Sequence, residues 1–177
     1  QRVLDAMDKG ATVLQTREAT RALHTAGVRV AWFLQFGYLG ETWSDIRATV
    51  AMLRSEKPDD IGISVSYPLP GTPFHERVRA LLGEKQNWSA SGDLDLLYPG
   101  AFRPSFYRAL HTAVHKELRL RQAWRALCRL ECTRSSLRRI ALVPWNAAEY
   151  ALARVRVTME RLFRSHSETN TILRQDA

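Results

Sequence analysis

Cysteine is almost missing from this chain: Cys128 and Cys132 are the only two in 177 residues. So few exclude a secreted disulfide scaffold and fit a reducing compartment. No apolar run reaches the roughly 18 residues of an ordinary membrane-spanning helix. The chain opens on Gln1 rather than Met, with no charged segment leading into an apolar one, so no signal peptide is visible and the start reads as a cut. A cytoplasmic location is the expectation. Lysine is scarce as well, and arginine carries most of the positive charge. What is plentiful is apolar surface: 45% hydrophobic and 9% aromatic residues supply a core and exclude disorder.

The net charge of +8 is unevenly placed. Residues 1–100 hold 11 basic and 12 acidic side chains, whereas residues 101–177 hold 15 basic and 6 acidic ones. A near-neutral half therefore precedes a basic half.

The neutral half alternates between helical and extended patterns. Val3 to Lys9, stopped by Gly10, reads as the last turns of a helix. Thr12 and Gln15 have capping-box spacing for a helix to about Thr25, with Val13, Ala19, Leu23 and Ala26 as its apolar stripe and Gly27 as its stop. Residues 28–36 (VRVAWFLQF) and 61–67 (IGISVSY) read as buried strands. Between them Thr42 caps a helix to about Ser55, and residues 57–60 turn. The proline-rich run 68–73 is a rigid loop, followed by a helix to about Leu82. Such an order predicts βα units and a parallel sheet. Two strands cannot close a sheet, so residues 1–82 are expected to be part of a larger α/β domain, with the missing N-terminal half of the same polypeptide as partner.

Residues 83–103 form a polar connection containing Trp88, which serves equally as a lid residue or a core anchor. A helix from about Ser105 to Cys132 and another from about Ser135 to His166, broken or kinked at Pro144, make an arginine-rich extension over 104–166. Residues 167–177 read as a frayed tail.

Period-two alternation gives each strand an apolar and a mixed face. Arg29, Ala31, Phe33 and Gln35 share the mixed face of the first strand; Gly62, Ser64 and Ser66 share that of the second. Parallel α/β folds place function at the C-terminal ends of strands, which brings forward Gln35, Gly37, Ser66 and Tyr67. Ser64 and Ser66 serve equally well as small packing residues. The turn from Phe36 to Thr42 leads into a helix start whose N–H groups suit an anionic group, and Glu41 there either compensates the helix dipole or acts as a ligand. His111 and His115 lie one turn apart with no third ligand beside them, which favours packing or surface roles.

Three stretches, QRVLDAMDKG, FGYLGETW and DDIGISVSYPLPGTPF, with FYRALHTAVHKELR after them, resemble the C-terminal half of the barrel of radical S-adenosylmethionine (SAM) enzymes. The similarity is to the cobalamin-binding-domain-containing subgroup, which includes anaerobic magnesium-protoporphyrin ester cyclase-like proteins, and covers roughly residues 1–120. It implies that 28–36 and 61–67 are the fifth and sixth strands of a partial (β/α) barrel. By the same resemblance Gln35, Gly37, Ser64, Ser66 and Tyr67 would be S-adenosylmethionine or small-molecule substrate contacts. The whole enzyme would use a [4Fe–4S] cluster, S-adenosylmethionine and cobalamin for radical methyl transfer or ring-forming or oxidative chemistry. Two departures stand out. Leu39 replaces the family's usual Pro, and the Cys-x-x-x-Cys-x-x-Cys loop that holds the cluster is absent. Cys128 and Cys132 read as structural thiols, with no metal site expected in this chain. The chain alone is therefore expected to be inactive.

The basic half admits a different class of function. Its arginines are dense enough to contact RNA phosphates or an anionic membrane, which would make it a nonenzymatic binding module. No RNA-binding signature accompanies them, so nucleic acid is the weaker expectation and a solvated face or peripheral membrane contact the stronger. Residues 140–163 mix large apolar residues with arginines, as an amphipathic helix docking on a barrel, a partner or a membrane would.

Overall fold

The computed structural model describes residues 1–82, 94–130 and 133–175, giving only the backbone from 163 onward. Its architecture is mixed α/β, mostly helical, with a two-stranded parallel sheet. Two compact units divide the chain, residues 1–101 and 102–177. Trp88 and Cys132 lie outside the described residues, so their expected roles have no structural counterpart here.

In the first unit a short helix α1 (Arg2–Ala6) ends earlier than the expected Lys9, because Asp8 and Gly10 both take positive φ, 53° and 61°. Helix α2 (Val13–Thr25) starts on a complete capping box, with Thr12 and Gln15 each satisfying the other's backbone N–H. Gly27, at φ 74°, turns the chain into strand β1 (Ala31–Phe36). Helix α3 (Trp43–Glu56) repeats the capping box with Thr42 and Asp45, and strand β2 (Asp60–Val65) follows. Pro73 opens helix α4 (Pro73–Val78), capped by Thr72, and a 3-10 turn covers Arg79–Leu81.

Both strands are shorter than the expected 28–36 and 61–67. Asp59 sets the start: its carboxylate accepts the Val30 N–H at 2.8 Å, and its own N–H donates to the Val30 carbonyl at 2.8 Å. Regular pairing begins only after that clasp. At the far end Pro68 restrains Tyr67, and the ladder finishes with the Ser66 N–H donating to the Phe36 carbonyl at 2.7 Å.

The parallel register pairs Trp32 with Ile61, Leu34 with Ile63 and Phe36 with Val65. These six form one face, on which Trp32, Leu34, Phe36 and Ile61 are buried. The other face carries Ala31, Phe33 and Gln35 beside Asp60, Gly62 and Ser64. Phe33 is 91% exposed there, and its ring lies so close over Gly62 that a Cβ at that position would sit 2.8 Å from two ring carbons. Because alternate residues of a parallel strand bond to the same neighbour, Ala31, Phe33 and Gln35 direct their backbone groups to the other edge of β1, which pairs with no strand among the described residues.

Helix α2 corrects one reading of the sequence. Its expected stripe is largely solvent-facing, with Ala19, Leu23 and Ala26 exposed. Thr20 is the buried residue, and its hydroxyl accepts the Trp32 indole N–H at 3.0 Å. The helix is held to its neighbours by polar contacts: Arg21 donates to Glu56 on α3 at 2.9 Å, and His24 lies 3.2 Å from the Asp59 carboxylate.

In the second unit, helix α5 (Pro104–Cys128) stops before the expected Cys132. The helix expected over 135–166 is two helices, α6 (Arg134–Ala141) and α7 (Val143–Gln175). The break falls at Leu142 because Pro144, lacking an N–H, is tolerated only in a first helical turn. The tail expected to be frayed is helical in its backbone as far as Gln175.

Candidate functional site

The strands deliver Gln35 and Ser64 to adjacent positions of the ladder on the open face of the sheet. Both line a cleft of about 590 Å³, beside Val3, Met7, Phe33 and Glu41. Residues of α1, α2 and α3 complete its lining.

Ser66 and Tyr67 lie just beyond β2, and neither lines that cleft. Ser66 is 0% exposed. Its hydroxyl and that of Tyr67 are buried and make no hydrogen bond among the described residues. A buried hydroxyl with no partner is costly, and two in succession at the C-terminal end of a strand are unusual. Their place in the fold is the one at which parallel α/β proteins bind ligands.

Gly37 is differently placed. Its φ of 80° requires glycine. Its N–H donates to Glu41 Oε2 at 2.7 Å, and its carbonyl accepts the Tyr98 hydroxyl at 2.7 Å. Both of its backbone groups are thus engaged within the protein. At the N-terminus of α3 the capping box takes up two N–H groups, Asp45 accepting the Thr42 N–H at 2.8 Å and Thr42 Oγ1 accepting the Asp45 N–H at 3.4 Å, and Arg2 of α1 pairs with Asp45. One of the chain's own carboxylates, Asp45, thus sits at the helix end that the sequence suggested for an external anion.

Glu41 emerges as a residue of this site in its own right. It is 5% exposed. Burial pushes its carboxyl up to about 7, and Asp45 adds to the rise, while the Gly37 N–H and Arg2 oppose it. Asp45, by contrast, is drawn down to about 2, chiefly by its hydrogen bond with Arg2. Two carboxylates four residues apart therefore differ in protonation near neutral pH, which is the condition for one of them to exchange a proton.

Tyr98 is the residue that sequence reasoning missed. It comes from the far side of the connection, and Phe74 joins it to the turn, stacking on Tyr38 at 4.6 Å and meeting Tyr98 edge-on at 5.6 Å. No local pattern signals such a contact.

Among the described residues no three His, Cys, Asp or Glu side chains converge as a metal site. Cys128 is exposed on α5, and the His111 and His115 rings stand 4.4 Å apart on the same helix. No family model matches the chain.

Proposed function

We propose that residues 1–82 form part of the wall of a radical SAM barrel, with the strand ends contacting S-adenosylmethionine or a small-molecule substrate. The observation that carries this reading is the pair of buried, unpartnered hydroxyls of Ser66 and Tyr67 beyond β2. The sequence resemblance supplies the family. The parallel pair, whose outer edges meet no strand among the described residues, supports a sheet continued by further strands.

S-adenosylmethionine carries hydroxyl, amino and carboxylate groups that suit such partners, so Ser66 and Tyr67 would hold a polar part of it or of the substrate. Gln35 and Ser64, paired across the ladder, would offer polar groups from the separate cleft that they line. When bound, S-adenosylmethionine supplies the adenosyl radical of this enzyme class, and the residues here orient ligand and exclude water. The [4Fe–4S] cluster does not fit this chain, whose described residues include no thiolate set to ligate it. Cobalamin is assigned no residue.

The test uses the full-length polypeptide, with its upstream sequence, reconstituted anaerobically with iron, sulfide and a reductant. Mass spectrometry should find 5′-deoxyadenosine formed from S-adenosylmethionine. Ser66→Ala should raise the KM for S-adenosylmethionine about tenfold, the worth of one hydrogen bond of about 1.4 kcal/mol. An upstream sequence with no three-cysteine loop, or no 5′-deoxyadenosine, would overturn the reading.

A further inference from the structure

The second unit carries a feature that the barrel reading does not use. Ser105, Arg108 and Thr112 of α5 line a cleft with Leu152, Val155 and Met159 of α7. Further along α5, Lys116 pairs with Glu149 at 2.7 Å and Glu117 accepts from Tyr150 at 3.3 Å. The two helices therefore run antiparallel, and the end of α5, all of α6 and the start of α7 gather at one tip.

That tip is rich in arginine and in exposed apolar side chains. Residues 118–148 contain seven arginines and a single carboxylate, Glu131. Trp124 is 67% exposed, Leu130 82% and Trp145 62%. Leu127, one turn from Trp124, is exposed as well, as are Leu137 on α6 and Leu142 just after it. Large apolar side chains held in water in such density mark an interaction surface. The occupant must accept both leucines and arginines. RNA phosphates would satisfy the arginines and leave the leucines in water, whereas the interface of an anionic bilayer takes both, with indoles at the headgroup level. Among the described residues no helix is long and apolar enough to cross a membrane.

We propose that this tip docks peripherally on anionic lipid, with Trp124 and Trp145 inserted at the interface and Arg134, Arg138 and Arg139 of α6 facing the headgroups. The proposal does not depend on the radical SAM reading.

Flotation of the full 177-residue chain with vesicles tests it. The chain should float with phosphatidylcholine–phosphatidylglycerol vesicles and stay behind with pure phosphatidylcholine. Raising salt from about 0.05 to about 0.5 M should weaken partitioning at least tenfold, as the screening length shortens. The triple variant R134Q/R138Q/R139Q should lose about a hundredfold, from about fivefold per arginine. W124S/W145S should lose binding while its circular dichroism stays unchanged. Brominated lipid should quench the wild-type tryptophans, a readout that needs no variant. Equal flotation with neutral vesicles, no flotation, polyuridylate bound in place of vesicles, or a stable dimer that W124S/W145S dissolves would each overturn the proposal.

Discussion

Glu41 offers the sharpest physical test of the first unit. Its carboxyl is 5% exposed and bonds to the Gly37 N–H at 2.7 Å. Burial holds it up at about 7, against an ordinary 4.5. A raised acid is favoured in its neutral form when folded, so its contribution is fully present below about pH 4.5 and is lost as pH rises through about 7. The interval of about 2.5 units corresponds to about 3 kcal/mol at alkaline pH. Glu41→Gln keeps an oxygen for the Gly37 N–H and removes the charge. Above pH 8 the variant should exceed wild type in stability by up to about 3 kcal/mol, and near pH 4.5 the two should coincide. The direct assay follows the Gly37 amide in ¹⁵N–¹H spectra from pH 4 to 9. A step near pH 7 that vanishes in Glu41→Gln is expected. A step at the ordinary glutamate position, or a variant destabilised equally at all pH values, would refute the reasoning.

Three other outcomes follow from single contacts. Ser66→Ala removes a buried hydroxyl with no partner, so urea denaturation should show a gain of about 1 kcal/mol in the unliganded chain; a comparable loss would mean that the hydroxyl is satisfied in the folded protein. Thr20→Val strands the buried Trp32 indole N–H, at a cost of about 1–3 kcal/mol, measurable by the same denaturation. Tyr98→Phe strands the Gly37 carbonyl for about 1–2 kcal/mol, and hydrogen exchange should speed at the Glu41 and Ser66 amides around that turn.

Local signals were legible wherever one turn of chain contains its own explanation. The Thr12–Gln15 cap, the Thr42 cap, the Gly27 stop and the alternating faces of both strands need only neighbours a few residues away. Helix interruption at Pro144 belongs with them. The strand limits were not legible in this way, because the Asp59 clasp on Val30 spans 29 residues. Nor was the inward side of α2, where the apolar stripe at Leu23 faces solvent and Thr20 turns inward to reach Trp32.

For the candidate site the same division holds. Residue type and spacing alone determined that Gln35 and Ser64 belong to mixed faces, whereas Ser66 and Tyr67, expected to end a strand, lie just beyond β2. Only the tertiary structure decided which polar groups remain available. Gly37 is consumed by Glu41 and by Tyr98 from 61 residues away, while the hydroxyls of Ser66 and Tyr67 find no partner among the described residues. Sequence records which groups a chain possesses; folding decides which of them find one another, because a hydrogen bond depends on distance in space and not along the chain.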